Sequence, residues 1–517
     1  MDFIFLKEQM KNASENQSRF VQMPERSLEI FALRQVLEGK QYDCLPFPFF
    51  MGYADGTRSS GFSAGAFGTG RIPLSQRRPS IQCNISKSVV DDSVSFLFGE
   101  GRFPKVELVC HELGESDAAS EDKDNQQEAL DEILESCHFS AVMLQAAYEG
   151  SVGSSAVKYS IIEGEPKFEV LLTENLVPIF SLEDPSILTS LMELQYIKGQ
   201  VLYEMGYAIK LDERNAYFFL AREFTQTDEI IYKPWPASLG GALYVGKVKD
   251  RTFPHNFGFI PVIWIKNEKG DGSRIDGTCT FKAGINSFME IDYLLSQTAR
   301  GLKYSSEPLL AIKSNNADMG SIDKSSGDSL VLPETGDAKL IEMSGDSVTA
   351  IKDFVGFVRD LALTSVHGNR VNPDKIHAAQ SAKAMELLYH PLICLADRLR
   401  LSYGDGIKRL IEMLIASSAQ HDLKVNGDMI PSGFFHQNMT INLKWPDWFP
   451  ETVHDRQAES STLKTLTDIN ALSQKAAMKV AAGMYDIEDV EELESEIKED
   501  IAQFQAMQPQ VTETKAI

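Results

Sequence analysis

The sequence predicts an α+β protein, and three observations carry that reading. The first half alternates short apolar runs closed by Gly, Asp or Asn, as antiparallel strands do. The centre holds two amphipathic helices around a compact polar insert, and the C-terminal part returns to helix. At 517 residues, 43% of them hydrophobic, the chain exceeds one core, so about two to four sub-domains are expected.

Arg26 to Leu37 reads as an amphipathic helix before a long aromatic and glycine-rich loop, Pro46 to Pro79. Asn84 to Gly101 has apolar positions that fit helix and strand equally. Glu115 to Glu135 holds nine acids and one lysine and reads as a solvated loop leading into a helix. Ser140 to Glu149 looks helical, and Val157–Gly164, Pro166–Leu172 and Leu176–Phe180 alternate as strands. Strand-like segments continue from Leu191 to Val248 through Tyr196–Gly206, Tyr207–Leu211 and Asn215–Phe224.

The apolar run HNFGFIPVIWI, His255 to Ile265, leads into the central pair. The first helix, Lys282 to Ser305, sets Ile285, Phe288, Ile291, Leu295, Ala299 and Leu302 on one face. The second opens at Asp346 or Ser347, either able to cap free amides, and carries a stripe of Ile351, Phe354, Val355, Val358, Leu361 and Ala362 before ending near Gly368. Between them, LLAI, SLVL and AKLIEM read as short strands joined by turns. The result is a stalk with a tip. On periodicity alone, a helical hairpin with a surface insertion in a larger core fits as well.

A long helix from Gln380 contains Pro391, expected to kink it by removing a hydrogen bond and crowding the preceding turn. Met439 to Trp445 reads as a strand, WPDWFPE (Trp445 to Glu451) as a break, and Ser460 to Gln505 as helix with a frayed terminus.

A formal charge of −24 counts against a tight grip on nucleic acid, which depends on Lys and Arg neutralising phosphates. It suits either plain solubility or a wall that DNA passes without being held. Much of the charge is local, since Asp486 to Asp500 holds another nine acids. No run approaches a membrane span, and the N-terminus lacks the pattern of an export leader, so a soluble protein without a membrane partner is expected. The cysteines, at 44, 83, 110, 137, 279 and 394, form no C-x-x-C pair. A reducing compartment, with neither disulfide framework nor metal site, fits them.

No catalytic signature emerges. Gly241 to Val248 resembles a phosphate-binding loop, but Val248 stands where a hydroxyl should ligate magnesium, and the strand and helix such a loop needs are missing. A hairpin turn is the better reading. Gly65–Gly70 reads as a loop tip, and Asn267–Thr278 as a surface turn, because Lys269 occupies a ligand position of any calcium loop. HELGE at His111 lacks a second histidine, and His390 reads as a core histidine on the long helix. No cofactor is expected.

Val366 to Gln380 differs in kind. Within this acidic chain it carries His367, Asn369, Arg370, Asn372, Lys375 and His377 against Asp374 alone. Such a loop can touch phosphates weakly and reversibly, although polarity also suits an exposed loop with no partner.

Several segments, in their order, resemble the portal proteins of tailed double-stranded DNA bacteriophages. They are RSLEIFALRQVLEGKQY (Arg26 to Tyr42), NISKSVVDDSVSFLFGEG (Asn84 to Gly101), VPIFSLED (Val177 to Asp184), HNFGFIPVIWIKN before a helix, QSAKAMELLYHPL (from Gln380), and WPDWFPE with helices behind it. Each alone is weak, while their order is specific. Departures are Ala382, where relatives often have Gly, and Asn267, standing where a pair of Asn is usual.

The resemblance implies a portal fold with a mixed α/β wing (1–276 and 381–450), a two-helix stem (277–305 and 346–365), a small αβ clip (306–345), a tunnel loop (366–380) and a helical crown (451–517). It implies a dodecameric ring at one capsid vertex that serves as the channel for DNA packaging and ejection without reading DNA sequence. The clip, with Lys313, Asn315, Asn316, Asp318 and Lys324, would bind the large terminase and later the head-tail adaptor. His367, Asn369, Arg370, Asn372, Lys375 and His377 would face DNA. Major capsid and scaffolding proteins would be further partners, in the virion and, during assembly, in the host cytoplasm. The subunit would be no enzyme. The alternative is another ring- or tube-forming virion protein of the head-tail junction, and an ATPase or nuclease is the reading from a different class.

Overall fold

The computed structural model describes residues 2–13, 16, 18–50, 72–110, 117–238, 249–269, 275–306, 309–313, 337–341, 345–368, 382–436, 439–449, 453–469, 471–484 and 497. It is α+β, as expected, and divides into two compact units. One comprises residues 1–370 and 391–446, the other 371–390 and 447–517.

In the larger unit, three short helices come first: Phe3–Asn12, Arg19–Gln22 and Glu25–Leu37. Asn84 resolves the ambiguity of the segment behind it. Its side chain accepts from Lys87 N at 3.1 Å, so Ile85–Phe98 starts as a capped helix and buries Val89, Val90, Val94 and Leu97.

The acidic segment is helix from Asp117 to Ser136 rather than loop followed by helix. Its inner face buries Gln126, Leu130 and Ile133. Gln127 ties it to strand Lys105–Cys110, accepting from Leu108 N and donating to Val106 O, both at 2.9 Å. Asp124, Glu128, Asp131, Glu132 and Glu135, on the remaining faces, stay in water, where Glu costs a helix little.

After helix Phe139–Gly150, Ser154–Ile162 is the middle strand of a three-stranded antiparallel sheet, between Glu165–Leu171 and Val262–Lys266. A second sheet runs Lys249–Pro254, Asp228–Tyr232, Tyr217–Phe224, Leu188–Lys198 and Leu176–Phe180, with Trp235–Pro236 paired to Tyr217–Phe224. Ala156, Leu171, Leu176, Leu191, Phe224 and Trp264 form one apolar cluster that joins the two sheets.

Two strand assignments need correction. The strand expected over Tyr196–Gly206 ends at Lys198, the last residue paired with Tyr217–Phe224, and Gly199–Glu204 turns into helix. A Cβ on Gly199 would lie 2.5 Å from Glu213 O, so only glycine fits that turn. Tyr207–Leu211 has no ladder partner among the described residues, and a 3-10 turn follows at Leu211–Glu213.

Strand Met439–Lys444 pairs antiparallel with Lys105–Cys110 and so closes the unit between distant parts of the chain. The later turns of helix Ala382–Ser418 place Leu399, Tyr403, Ile407, Leu410, Ile411 and Leu414 in the main core, with Leu33, Leu97, Phe139, Tyr159 and Phe281. Pro391 lies inside that helix and supplies no amide, and the two units divide at this residue.

Asn267 is no part of a surface turn. It is buried, its side-chain amide donates to Thr278 O at 2.9 Å and Thr280 Oγ1 at 2.8 Å, and Tyr403 donates to its oxygen. The chain re-enters at Thr278 through a bridge to Glu268. Close by, Arg26 pairs with Asp276 through two nitrogens, donates to Thr173 O and Leu176 O, and stacks over Trp264.

The smaller unit is helical where described: the first residues of the long helix, then Val453–Asp468 and Gln474–Met484. The helical segment expected over Ser460–Gln505 starts earlier, at Val453, and is two helices where described, the second capped by Ser473, which accepts from Ala476 N at 3.2 Å; beyond Met484 it lies, save for residue 497, outside the described residues. Tyr389 and Phe449 rings meet at 5.7 Å. His390 is exposed rather than a core histidine. Among the described residues no helix is long and apolar enough to cross a membrane.

Candidate functional site

The candidate site is the helical hairpin and the segments at its two ends. A 3-10 turn, Lys282–Gly284, leads into helix Ile285–Ser306, and Gly345–Ser365 is the second helix. Their far ends carry the antiparallel strands Leu309–Lys313 and Asp337–Ile341, paired Leu309 to Ile341 and Lys313 to Asp337. The expected LLAI and AKLIEM strands are therefore present, whereas SLVL lies outside the described residues.

The first helix is bolted to the body by polar side chains set into its apolar face. Asp292, 1% exposed, accepts from Tyr42 hydroxyl at 2.9 Å and from Cys83 N at 2.7 Å. Ser296 Oγ accepts from Ser80 N and Ile81 N, each at 3.0 Å, and donates to Asp292 O at 2.7 Å. Tyr293 donates to Arg77 O at 2.6 Å. Burial raises the Asp292 carboxyl to about 6, although the Cys83 amide and Tyr42 hydroxyl pull the other way. Burial and the adjacent Asp292 push the Tyr42 hydroxyl upward.

At the base of the hairpin, Phe288 packs with Ala362, Leu363, Val366 and Val89. Glycine permits this closeness, since a Cβ on Gly284 would sit 2.7 Å from the Phe288 ring. The second helix ends in a Schellman motif: Gly368 N donates to Leu363 O at 2.8 Å, His367 N to Thr364 O at 3.4 Å, and His367 takes the left-handed conformation with φ 55°.

The second helix's expected stripe splits in two. Ala362 is buried and Ile351, Val355 and Val358 are half-buried, but Phe354 and Leu361 face outward with Phe357. On the first helix Ile285, Phe288 and Ile291 are buried as expected, Leu295 and Ala299 are half-buried, and Leu302 is exposed.

Of the tunnel-loop candidates, His367 is within the described residues, half-buried at the helix terminus. Asn369, Arg370, Asn372, Lys375 and His377 lie outside them. Of the clip candidates, Lys313 is described in its backbone, closing the strand pair, while Asn315, Asn316, Asp318 and Lys324 lie outside. So do the phosphate-loop near-match at Gly241–Val248, the loop tip at Gly65–Gly70 and HELGE at His111.

The anchors Asp292, Ser296 and Tyr42 escaped the sequence reading. A signal existed: Asp292 falls four residues after Phe288, within the apolar face, where a carboxylate needs partners. Elsewhere in the larger unit, a cleft of about 440 Å³ is lined by Phe180, Trp264, Ser402, Gly406 and Arg409 and spanned by the Lys269–Asp405 ion pair. Among the described residues there is no group of three or more His, Cys, Asp or Glu able to hold a metal.

The family described as phage portal protein, SPP1 Gp6-like, matches residues 64–503, a span that takes in both long helices, the strand pair between them and residues 366–380. No curated protein matches the chain. Portal proteins are structural components of the phage virion that serve DNA packaging, oligomeric rings through which DNA passes, and not enzymes. With most of its length matched, the chain belongs to the phage portal protein family, SPP1 Gp6-like.

Proposed function

We propose that the protein is the subunit of a dodecameric ring at one capsid vertex, where it forms the channel for DNA packaging and ejection. The observation that carries this reading is the hairpin. Its base is fixed in the α+β body through Asp292, Ser296 and Phe288, and its far end carries a paired strand tip. In this reading residues 277–305 and 346–365 are the stem, 306–345 the clip, 366–380 the tunnel loop, 1–276 with 381–450 the wing, and 451–517 the crown.

The clip, with Lys313, Asn315, Asn316, Asp318 and Lys324, takes the large terminase during filling and the head-tail adaptor afterwards. His367, Asn369, Arg370, Asn372, Lys375 and His377 line the constriction. Major capsid and scaffolding proteins hold the ring in the growing shell in the host cytoplasm. Sliding favours this chemistry. Each tight Lys or Arg contact to phosphate adds a barrier, so a subunit whose whole chain carries a net charge of −24 suits a channel that passes DNA more readily than it grips it.

The test is packaging into proheads assembled with the chain lacking residues 314–336. The expected result is intact rings, no terminase binding and no filled heads. Normal terminase binding would contradict the assignment of the insert.

A further inference from the structure

Strand Val262–Lys266 lies at the outer edge of its three-stranded sheet, paired with Ser154–Ile162 on one side and with no strand among the described residues on the other. Tyr159 N donates to Pro261 O at 2.8 Å and Asn267 N to Gly153 O at 2.9 Å, so the odd-numbered positions bond to the inner neighbour. Trp264, between them, therefore turns its amide and carbonyl to the open edge. That edge is one wall of the cleft of about 440 Å³, which touches Ile263, Trp264, Ile265 and Lys266 in succession. Consecutive residues point to opposite faces of a sheet, so a cavity that meets all four lies against the edge and not a face.

The two faces give the cleft two unlike sides. On the face of Ile265, helix Ala382–Ser418 comes close because residue 406 is glycine; a Cβ there would collide with Ile265 Cδ1. This side presents Ser402 and Arg409. Ser402 is 4% exposed and its hydroxyl has no hydrogen-bond partner, a costly state for a buried polar group. Asp405, beside them, is already paired with Lys269. On the face of Trp264, the opposite side presents Phe180, whose ring meets the indole edge-on at 6.3 Å, and Pro185.

We infer that this cleft is a docking site for an extended peptide segment of another protein, which adds to Val262–Lys266 as a further strand. The segment's main chain pairs with the amide and carbonyl of Trp264, and its side chains alternate between the two sides. An acidic residue on one side accepts from the Ser402 hydroxyl and faces the Arg409 guanidinium. Its apolar neighbours lie on Phe180 and Pro185. The ligand is therefore a strand of alternating acidic and apolar residues. This inference does not depend on the ring reading.

The experiment titrates the full-length chain with the acetylated and amidated heptapeptide Glu-Val-Glu-Phe-Glu-Val-Glu by calorimetry, and follows amide hydrogen exchange over residues 262–266 with and without it. Arg409→Glu, at an exposed position, is the variant, with thermal melting alongside. The same peptide methylated on every interior backbone nitrogen removes the strand's donors. The expected result is binding that slows exchange of the Trp264 amide, that Arg409→Glu weakens by about tenfold at an unchanged melting midpoint, and that methylation abolishes. Equal binding of the methylated peptide, or an unchanged Trp264 amide, would overturn the inference. So would an absence of binding at millimolar peptide. N-acetylphenylalanine amide binding as tightly as the heptapeptide would also overturn it, by making the cleft a small-molecule site.

Discussion

The buried carboxylate of Asp292 accepts from the hydroxyl of Tyr42 at 2.9 Å, and with it the first long helix is fixed to the segment that follows helix Glu25–Leu37. Because burial lifts this carboxyl to about 6 from an ordinary 3.8, the folded chain holds its proton more tightly than the unfolded chain does. Its contribution to stability is therefore fully present below about pH 4 and is lost as pH rises through about 6. Asp292→Asn should abolish that fall. Between pH 4 and 7 the variant should gain on wild type by roughly 3 kcal/mol at most, read as the difference between two chemical-denaturation series.

Ser296 satisfies two backbone amides at once. Ser296→Ala leaves Ser80 N and Ile81 N without their acceptor, and the cost should be about 1–3 kcal/mol by urea unfolding. Faster hydrogen exchange confined to residues 80–83 would accompany it.

His367 ends the second helix in a conformation that a side chain adopts at a cost. His367→Gly should raise stability by about 1 kcal/mol, and His367→Val should lower it, as measured by thermal melting of the subunit.

Arg26 is held by Asp276, two carbonyls and the Trp264 ring in a largely buried position. Arg26→Ala strands the Asp276 carboxylate and should cost about 3–5 kcal/mol, seen as a lower denaturation midpoint.

The fold was legible where periodicity decides the outcome. Ile285, Phe288 and Ile291 gave the buried face of the first helix, and Leu176–Phe180 its strand. It was not legible where a partner decides. Tyr196–Gly206 reads as one strand until pairing with Tyr217 stops at Lys198, and the acids of Glu115–Glu135 read as a loop leading into a helix, whereas the helix, with Gln126, Leu130 and Ile133 in a core, already starts at Asp117. Asn267 looked like a turn residue because nothing local announces that Tyr403, far along the chain, donates to it. The site was legible as a shape, two helices and a strand tip, while its anchors Asp292 and Ser296 depend on residues 80–83, remote in sequence.

Arg370 and Lys375 are cations of the proposed constriction. Arg370→Ala/Lys375→Ala should leave ring formation unchanged and lower DNA packaging or retention several-fold in a prohead filling assay. Unchanged filling and retention would remove these residues from the channel.

The most direct test of the account is electron microscopy of the purified full-length chain. The portal reading predicts closed rings of about twelve subunits around a central hole, with the hairpins as the ring's wall. A compact monomer, or a hexameric tube, would contradict it.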